Sequence, residues 1–128
     1  MGKLPYLGVF GDDYNTPDGT GVRDYLHVVD LAAGHLRALD YVIEHRGVQA
    51  VNLGTGKGTI VLEMVSAFER ASGIKITYEI KSRQPGDIAT CYADSSKAKR
   101  LFGWAAERSI DEMCADLWNF VRKNPSGL

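Results

Sequence analysis

The stretch that decides the fold is residues 23–53, RDYLHVVDLAAGHLRALDYVIEHRGVQAVNL. Arg23 to Val29 reads as a strand, and Asp30 stands where an N-cap accepts a hydrogen bond from the next turn's amides, so a helix is expected from Leu31. Leu31, Ala32, His35, Leu36, Leu39, Val42 and Ile43 recur at helical spacing, which puts His35 on the core-facing stripe. His45-Arg46-Gly47 then supplies a basic last turn and a C-cap glycine. Val48 to Leu53 follows as a second strand. Strand, helix, strand with a connection of this length permits a parallel crossover, so the chain is read as α/β with a mixed α+β character.

Upstream, Leu7-Gly8-Val9-Phe10 reads as a short apolar strand ending in the turn Gly11-Asp12-Asp13. The segment from Tyr14 to Gly21 is dense in turn-forming residues and is expected to be a loop. Downstream, Gly54-Thr55-Gly56-Lys57-Gly58 leads into a helix with Thr59 as its expected N-cap, Val61, Leu62, Val65 and Phe68 as its apolar stripe, and Gly73 as its stop. Ile74, Ile76, Tyr78 and Ile80 alternate with polar residues, predicting a strand with one buried face and one wet one. Beyond the Gln84-Pro85-Gly86-Asp87 turn, Asp94 is placed to cap a short helix over residues 95–102, closed by Gly103. Ser109 and Glu112 form a capping-box pattern, opening a last helix that Asn124-Pro125 ends. No internal repeat or linker-like break divides the 128 residues, which are read as a single unit.

Composition narrows the function. A formal charge of -1 gives no broad basic surface, so neither nucleic acid nor an anionic membrane is an expected partner. Two cysteines, Cys91 and Cys114, are too few for a disulfide framework and lack metal-site spacing. Histidines 27, 35 and 45 have no metal-ligand spacing either. Met1 to Pro5 shows no basic-then-apolar leader, and no run approaches the length of a membrane span, so a cytoplasmic setting is expected.

The chemistry-bearing candidates are few. The Gly54–Gly58 loop offers backbone amides to an anion, but Thr59 stands where a dinucleotide fingerprint needs its third glycine, and Lys57 is followed by Gly58 rather than the Ser or Thr of a P-loop. We read it as a tight turn and expect no NAD there. Arg23 opens a strand after a glycine-rich loop, where a guanidinium can project toward a phosphate; an isolated arginine is otherwise a solvated charge. Lys81 to Asp87 places two cations and a carboxylate around a Pro-Gly turn, suited to a diphosphate and a ribose hydroxyl, or simply to water. Trp104, Trp118, Phe120 and Tyr92 are read as core aromatics rather than base-stacking platforms. No Ser-His-Asp or Cys-His set emerges.

Three blocks taken in order, GVFGDDY at 8–14, DGTGVRDYLHVVDLA at 18–32 and NLGTG at 52–56, followed by PGD at 85–87 and YAD at 92–94, resemble the UDP-glucose 4-epimerases. The resemblance runs from Leu7 to the closing helix. It implies an extended short-chain dehydrogenase whose NAD-binding Rossmann domain lies amino-terminal to a smaller UDP-sugar domain, with this chain corresponding to the carboxy-terminal, substrate-binding portion. Residues 23–53 would then be the segment that completes the Rossmann domain. The parent enzyme would interconvert UDP-glucose and UDP-galactose with NAD. The family's Tyr-x-x-x-Lys pair occurs nowhere in this chain, so the chain alone is expected to be non-catalytic and to hold no cofactor.

The resemblance also implies roles. Gly8, Val9 and Phe10 would bracket the uracil, Arg23 would hold the diphosphate, Asp87 the ribose hydroxyls, and Val61 would be an apolar neighbour of the uridine. Gln84 stands where the family carries a second arginine. Cys91 occupies the position where a small residue leaves room for an N-acetyl group, implying tolerance of UDP-N-acetylhexosamines. The apolar faces of the Asp30 helix and the Val48 strand would pack on the absent domain, so self-association is expected of the chain alone. The alternative readings are a stand-alone nucleotide-sugar-binding or assembly module, and a remnant with no ligand.

Overall fold

A computed structural model describes residues 4–126. Its elements run β1 (Leu7–Phe10), β2 (Val22–Arg23), α1 (Val28–Glu44), β3 (Thr59–Ile60), α2 (Val61–Ser72), β4 (Tyr78–Lys81), β5 (Thr90–Cys91), α3 (Ser96–Phe102) and α4 (Ile110–Lys123). The fold is mixed α/β. The strands form two small sheets: β1 pairs with β4 in parallel, and β2 lies between antiparallel β3 and parallel β5.

Helix α1 starts three residues earlier than its sequence suggests. The ring of His27, 3% exposed, accepts the Val29 N–H at Nδ1 over 3.0 Å and approaches Asp116 with Nε2 at 3.2 Å. Histidine therefore caps the helix, and the strand expected over residues 23–29 shortens to Val22–Arg23. Displaced from the cap, Asp30 turns inward at 3% exposure. Its carboxylate accepts from the backbone amides of Glu107 and Arg108 and from the Arg108 guanidinium, while its carbonyl accepts the Trp104 indole N–H. This knot fastens α1 to the segment that leads into α4. Gly34 completes the contact, because a Cβ there would lie 2.7 Å from Leu53 Cδ1 and 3.2 Å from Trp104 Cε2.

The second packed unit is α2 against α4. Phe68 meets Trp118 edge-on at 6.1 Å, Cys114 Sγ lies 3.7 Å from Met64 Sδ, and Arg70 bridges Asp111 at 2.6 Å. Several other ends follow their sequence signals, with Gly73 and Gly103 in left-handed conformations as C-caps and Ser109 and Glu112 capping each other reciprocally. Helix α1, however, stops at Glu44 with His45 as its C-cap and no basic residue in its last turn, short of Gly47. Ser95 rather than Asp94 is the N-cap of α3, although Asp94 accepts the Ser96 N–H. Thr59 does not cap α2, because it is spent in β3 opposite Arg23. Thr20, from the preceding loop, instead accepts the Val61 N–H at 3.2 Å.

Other expectations are corrected where no neighbour supplies burial. Residues 48–53 form no strand, since no other segment among the described residues pairs with them, and Val48 is 98% exposed. The expected parallel crossover through α1 is therefore not made; the parallel pairs are β1–β4 and β2–β5. His35 is exposed, its Nδ1 on the Leu31 carbonyl rather than in a core. Leu36, Leu39, Val42 and Ile43 of α1 are open to water as well. In β4, Tyr78 and Ile80 are exposed, and the burial in this two-stranded sheet falls on Val9 of β1 instead. Of the four aromatics expected in the core, Trp104 is buried, Trp118 is half-buried, and Phe120 and Tyr92 are exposed. The accessible surface of 8877 Å² measures the same effect, against about 6,700 Å² for a compact protein of this mass.

Burial works to raise the Asp30 carboxyl pKa, but the bonds from Arg108 and Glu107 outweigh it and hold it below the usual range. A depressed carboxylate stabilises the fold above its unfolded pKa, and that contribution is lost as pH falls through the folded value. Asp30→Asn should therefore cost about 2–3 kcal/mol at neutral pH. Urea unfolding at neutral and acid pH checks this: the gap between the variant and the parent chain should narrow as the solution is acidified.

Candidate functional site

The site is built around a two-residue strand. In β2, Arg23 lies opposite Cys91 of β5 on one side and Thr59 of β3 on the other. The Val22 N–H donates to the Ala89 carbonyl at 2.8 Å, which brings the chain after the 84–87 turn alongside β2. Arg23 Nη1 donates to the Val22 carbonyl at 2.9 Å, and Nη2 reaches Asp87 Oδ1 at 3.6 Å. Side-chain exposures of 32% and 39% leave both groups accessible to a ligand. Arg23, Leu53, Gly54, Cys91 and Tyr92 line an open cleft of about 470 Å³. The structure thus brings three sequence-predicted residues together: Arg23, Asp87 and Cys91.

A second group is set by β1. Val9 is buried at 2% and anchors the strand, leaving Phe10 exposed at its end. The Gly11 N–H donates to the Lys81 carbonyl, so the end of β1 adjoins the start of the 82–87 loop. Gly8 needs its small side chain only moderately, since a Cβ there would meet the Lys81 stem at 3.4 Å. Gln84 is exposed, and its carbonyl accepts the Asp87 N–H in the turn. Val61 begins α2 with its amide on Thr20.

Arg83, the neighbour of Gln84, is committed elsewhere. Its Nε and Nη2 donate to the side chain and backbone of Asp13, and its guanidinium lies 4.0 Å from the Tyr14 ring centroid. The bond to Asp13 raises the Arg83 pKa and lowers that of Asp13. Among the described residues, then, the ion pair to Asp87 belongs to Arg23, and Arg83 braces the 11–14 turn.

Two groups that sequence reasoning passed over organise the site. Thr20, 1% exposed, links the glycine-rich loop to α2. Asp24 sends its carboxylate into the Gly54–Gly58 loop, accepting from Thr55 N at 3.0 Å, Thr55 Oγ1 at 2.5 Å and Gly56 N at 3.1 Å, and from Ala93 N at 3.1 Å. Burial tends to raise its pKa, and these bonds overcome that and lower it. The signal was available: a Gly-Thr-Gly turn presents amides that need an anion, and an acidic residue adjoins Arg23. With those amides taken, and without a third glycine, the loop does not fit a dinucleotide pyrophosphate. No group of three or more His, Cys, Asp or Glu among the described residues is placed to hold a metal ion, and no helix there is long and apolar enough to cross a membrane.

Comparison with known proteins defines the class. Residues 1–117 match the family model described as GDP-mannose 4,6 dehydratase, and the chain belongs to that family. Within it the similarity is to UDP-glucose 4-epimerases: the Bacillus subtilis enzyme is 58% identical over 127 residues, covering 99% of this chain and 38% of the relative. Among solved structures, the Bifidobacterium longum UDP-glucose 4-epimerase, in complex with NAD+ and UDP, superposes with a TM-score of 0.94 at 57% identity over 99% of this chain and 38% of its own. The Stenotrophomonas maltophila UDP-glucose-4-epimerase, with bound NAD and formylated UDP-arabinopyranose, gives 0.93 at 47% identity, covering 97% of this chain and 37% of its own. The chain thus spans little more than a third of the length of these relatives.

A Cβ at Gly54 would lie 2.5 Å from Asp24 Oδ2 and 2.6 Å from the Ala93 Cβ. Gly54→Ala should therefore destabilise the chain by about 1–3 kcal/mol, as overpacking does. Denaturant unfolding of the variant measures it.

Proposed function

We propose that this chain is the carboxy-terminal, UDP-sugar-binding portion of a UDP-glucose 4-epimerase, whose amino-terminal part holds NAD and the Tyr-x-x-x-Lys pair. The observation that carries the reading is the convergence on Arg23 of Cys91, its partner across β2 and β5, and of Asp87, its ion-pair partner, with Arg23 and Cys91 lining an open cleft. Support comes from the similarity to a UDP-glucose 4-epimerase whose structure holds NAD+ and UDP. The absence of Tyr-x-x-x-Lys and of a loop fit for a dinucleotide supports the carboxy-terminal placement.

In this reading the guanidinium of Arg23 takes the diphosphate and Asp87 accepts from the ribose hydroxyls, while Gly8, Val9 and Phe10 face the uracil with Val61 as its apolar neighbour. Gln84 offers an amide where a second cation would strengthen the diphosphate clamp. The chain alone binds without turnover, and the parent enzyme interconverts UDP-glucose and UDP-galactose. The exposed stripe of α1, with Leu36, Leu39, Val42 and Ile43, is the face on which the remainder of the parent protein packs. Left uncovered it drives self-association, which light scattering during size exclusion reads as a mass above 14.0 kDa that rises with concentration.

Calorimetry with UDP tests the site. A charge-assisted hydrogen bond is worth about 1.5–3 kcal/mol, so Arg23→Ala should weaken UDP binding about tenfold to a hundredfold and Gln84→Arg should strengthen it by a similar factor. A folded parent chain without UDP affinity, or an Arg23→Ala variant that binds as well, rejects the assignment. Cys91, exposed opposite Arg23, sets the room beside the sugar. In a full-length enzyme Cys91→Tyr should lose turnover of UDP-N-acetylglucosamine while keeping that of UDP-glucose; equal retention of both rejects this role.

A further inference from the structure

Asp24 occupies a position that the UDP-sugar reading leaves unused. The amides of Thr55 and Gly56, with Gly56 at φ 70°, form a concave nest of the kind that receives an anion. The anion is internal: both Asp24 oxygens are engaged, Oδ1 by Thr55 N and Oγ1, and Oδ2 by Gly56 N and Ala93 N. One carboxylate therefore joins three segments: the residue after β2, the 54–56 loop, and the residue two positions beyond Cys91.

Strand β2 gains little from its own length, since two residues provide few ladder bonds. Beyond Arg23, the chain runs through residues 24–27 without regular structure before α1 begins. The Ala93 N–H bond to Asp24 adds a tie between the two chains beyond Arg23 and Cys91, while the Val22 N–H to Ala89 carbonyl bond holds them on the other side. The glycine at 54 fits the arrangement, because a Cβ there would strike both Asp24 and Ala93.

We propose that Asp24 is a positioning residue for the Arg23, Asp87 and Cys91 cluster, its carboxylate being the resident anion of the Gly54–Gly58 loop. As a consequence, that loop is closed to external phosphate, and a small carboxylate can replace the side chain when it is removed. The functional arm of this inference rests on the UDP-binding reading; its structural arm does not.

Amide NMR spectra of the full chain test the structural arm. In Asp24→Ala the resonances of Thr55, Gly56 and Ala93 should move together with those of Arg23 and Cys91, and added formate should move all five back toward the parent positions, where chloride at equal ionic strength does not. UDP affinity should fall about tenfold or more and recover at least threefold of that with formate, with Asp24→Asn between the two because its amide retains one accepting oxygen. If Asp24→Ala does not fold, acid titration of the parent chain replaces it: the same five amides should follow one midpoint, below that of an ordinary aspartate. Different midpoints, stationary Arg23 and Cys91 resonances, unchanged UDP affinity in Asp24→Ala, or loss that formate leaves untouched would each overturn the proposal. A parent chain that fails to bind UDP while its amides respond as expected rejects the UDP reading and leaves the positioning role standing.

Discussion

The Asp30 carboxylate is the joint on which the rest of the architecture depends. It lies in the first turn of α1, yet its partners, Glu107 and Arg108, immediately precede α4. A buried carboxylate is stable only when its lone pairs are taken up, so the α1 terminus and the 104–109 segment have to meet at one geometry. Trp104 strengthens the constraint by donating to the Asp30 carbonyl while its ring fills the space against Gly34. Since α4 packs on α2, and α2 begins beside β2, the position of a single side chain propagates to the cleft.

Asp24 and Asp30 do comparable work at opposite ends of residues 24–30. Each is a carboxylate satisfied largely by backbone amides from distant segments, and each has its pKa lowered despite burial, Asp24 by the Thr55 hydroxyl and the amides together and Asp30 by the Arg108 and Glu107 amides with the Arg108 guanidinium. The candidate site thus owes its shape to acidic side chains tied up by backbone amides, Asp24 at the wall of the cleft and Asp30 in the interior, while Arg23 and Asp87 remain accessible on the surface.

Some helix ends were legible in the sequence, and others, such as both ends of α1 and the start of α2, were not. Gly73, Gly103, the Ser109–Glu112 box and Asn124 act locally, so the residues that specify them are the ones that perform them. The two-residue strands β2, β3 and β5 were not legible as such, because pairing between segments far apart in sequence, rather than propensity, creates them. His27 was missed as a cap since imidazole is an uncommon choice, and Asp30 offered a conventional one. The apolar periodicity of α1 was read correctly as a stripe, but periodicity reports that side chains favour burial and not what would cover them. His35, Tyr92 and Phe120 illustrate the same gap. Of the site, Arg23 and Asp87 carried recognisable phosphate and hydroxyl chemistry and do meet; Asp24 and Thr20, which place them, gave only an indirect signal.

The open face of α1 has a calorimetric consequence. The heat-capacity increment of unfolding scales with the apolar surface that folding removes from water, about 12–15 cal/mol/K per residue for proteins with ordinary cores. Here Leu36, Leu39, Val42 and Ile43 are hydrated before unfolding begins. The chain by itself therefore unfolds with a smaller increment and a flatter stability curve than its length implies, and its denaturant dependence is correspondingly shallow. Covering that helix face would steepen both, so the thermodynamic response of the fold is set as much by what lies against α1 as by the interior the chain makes for itself.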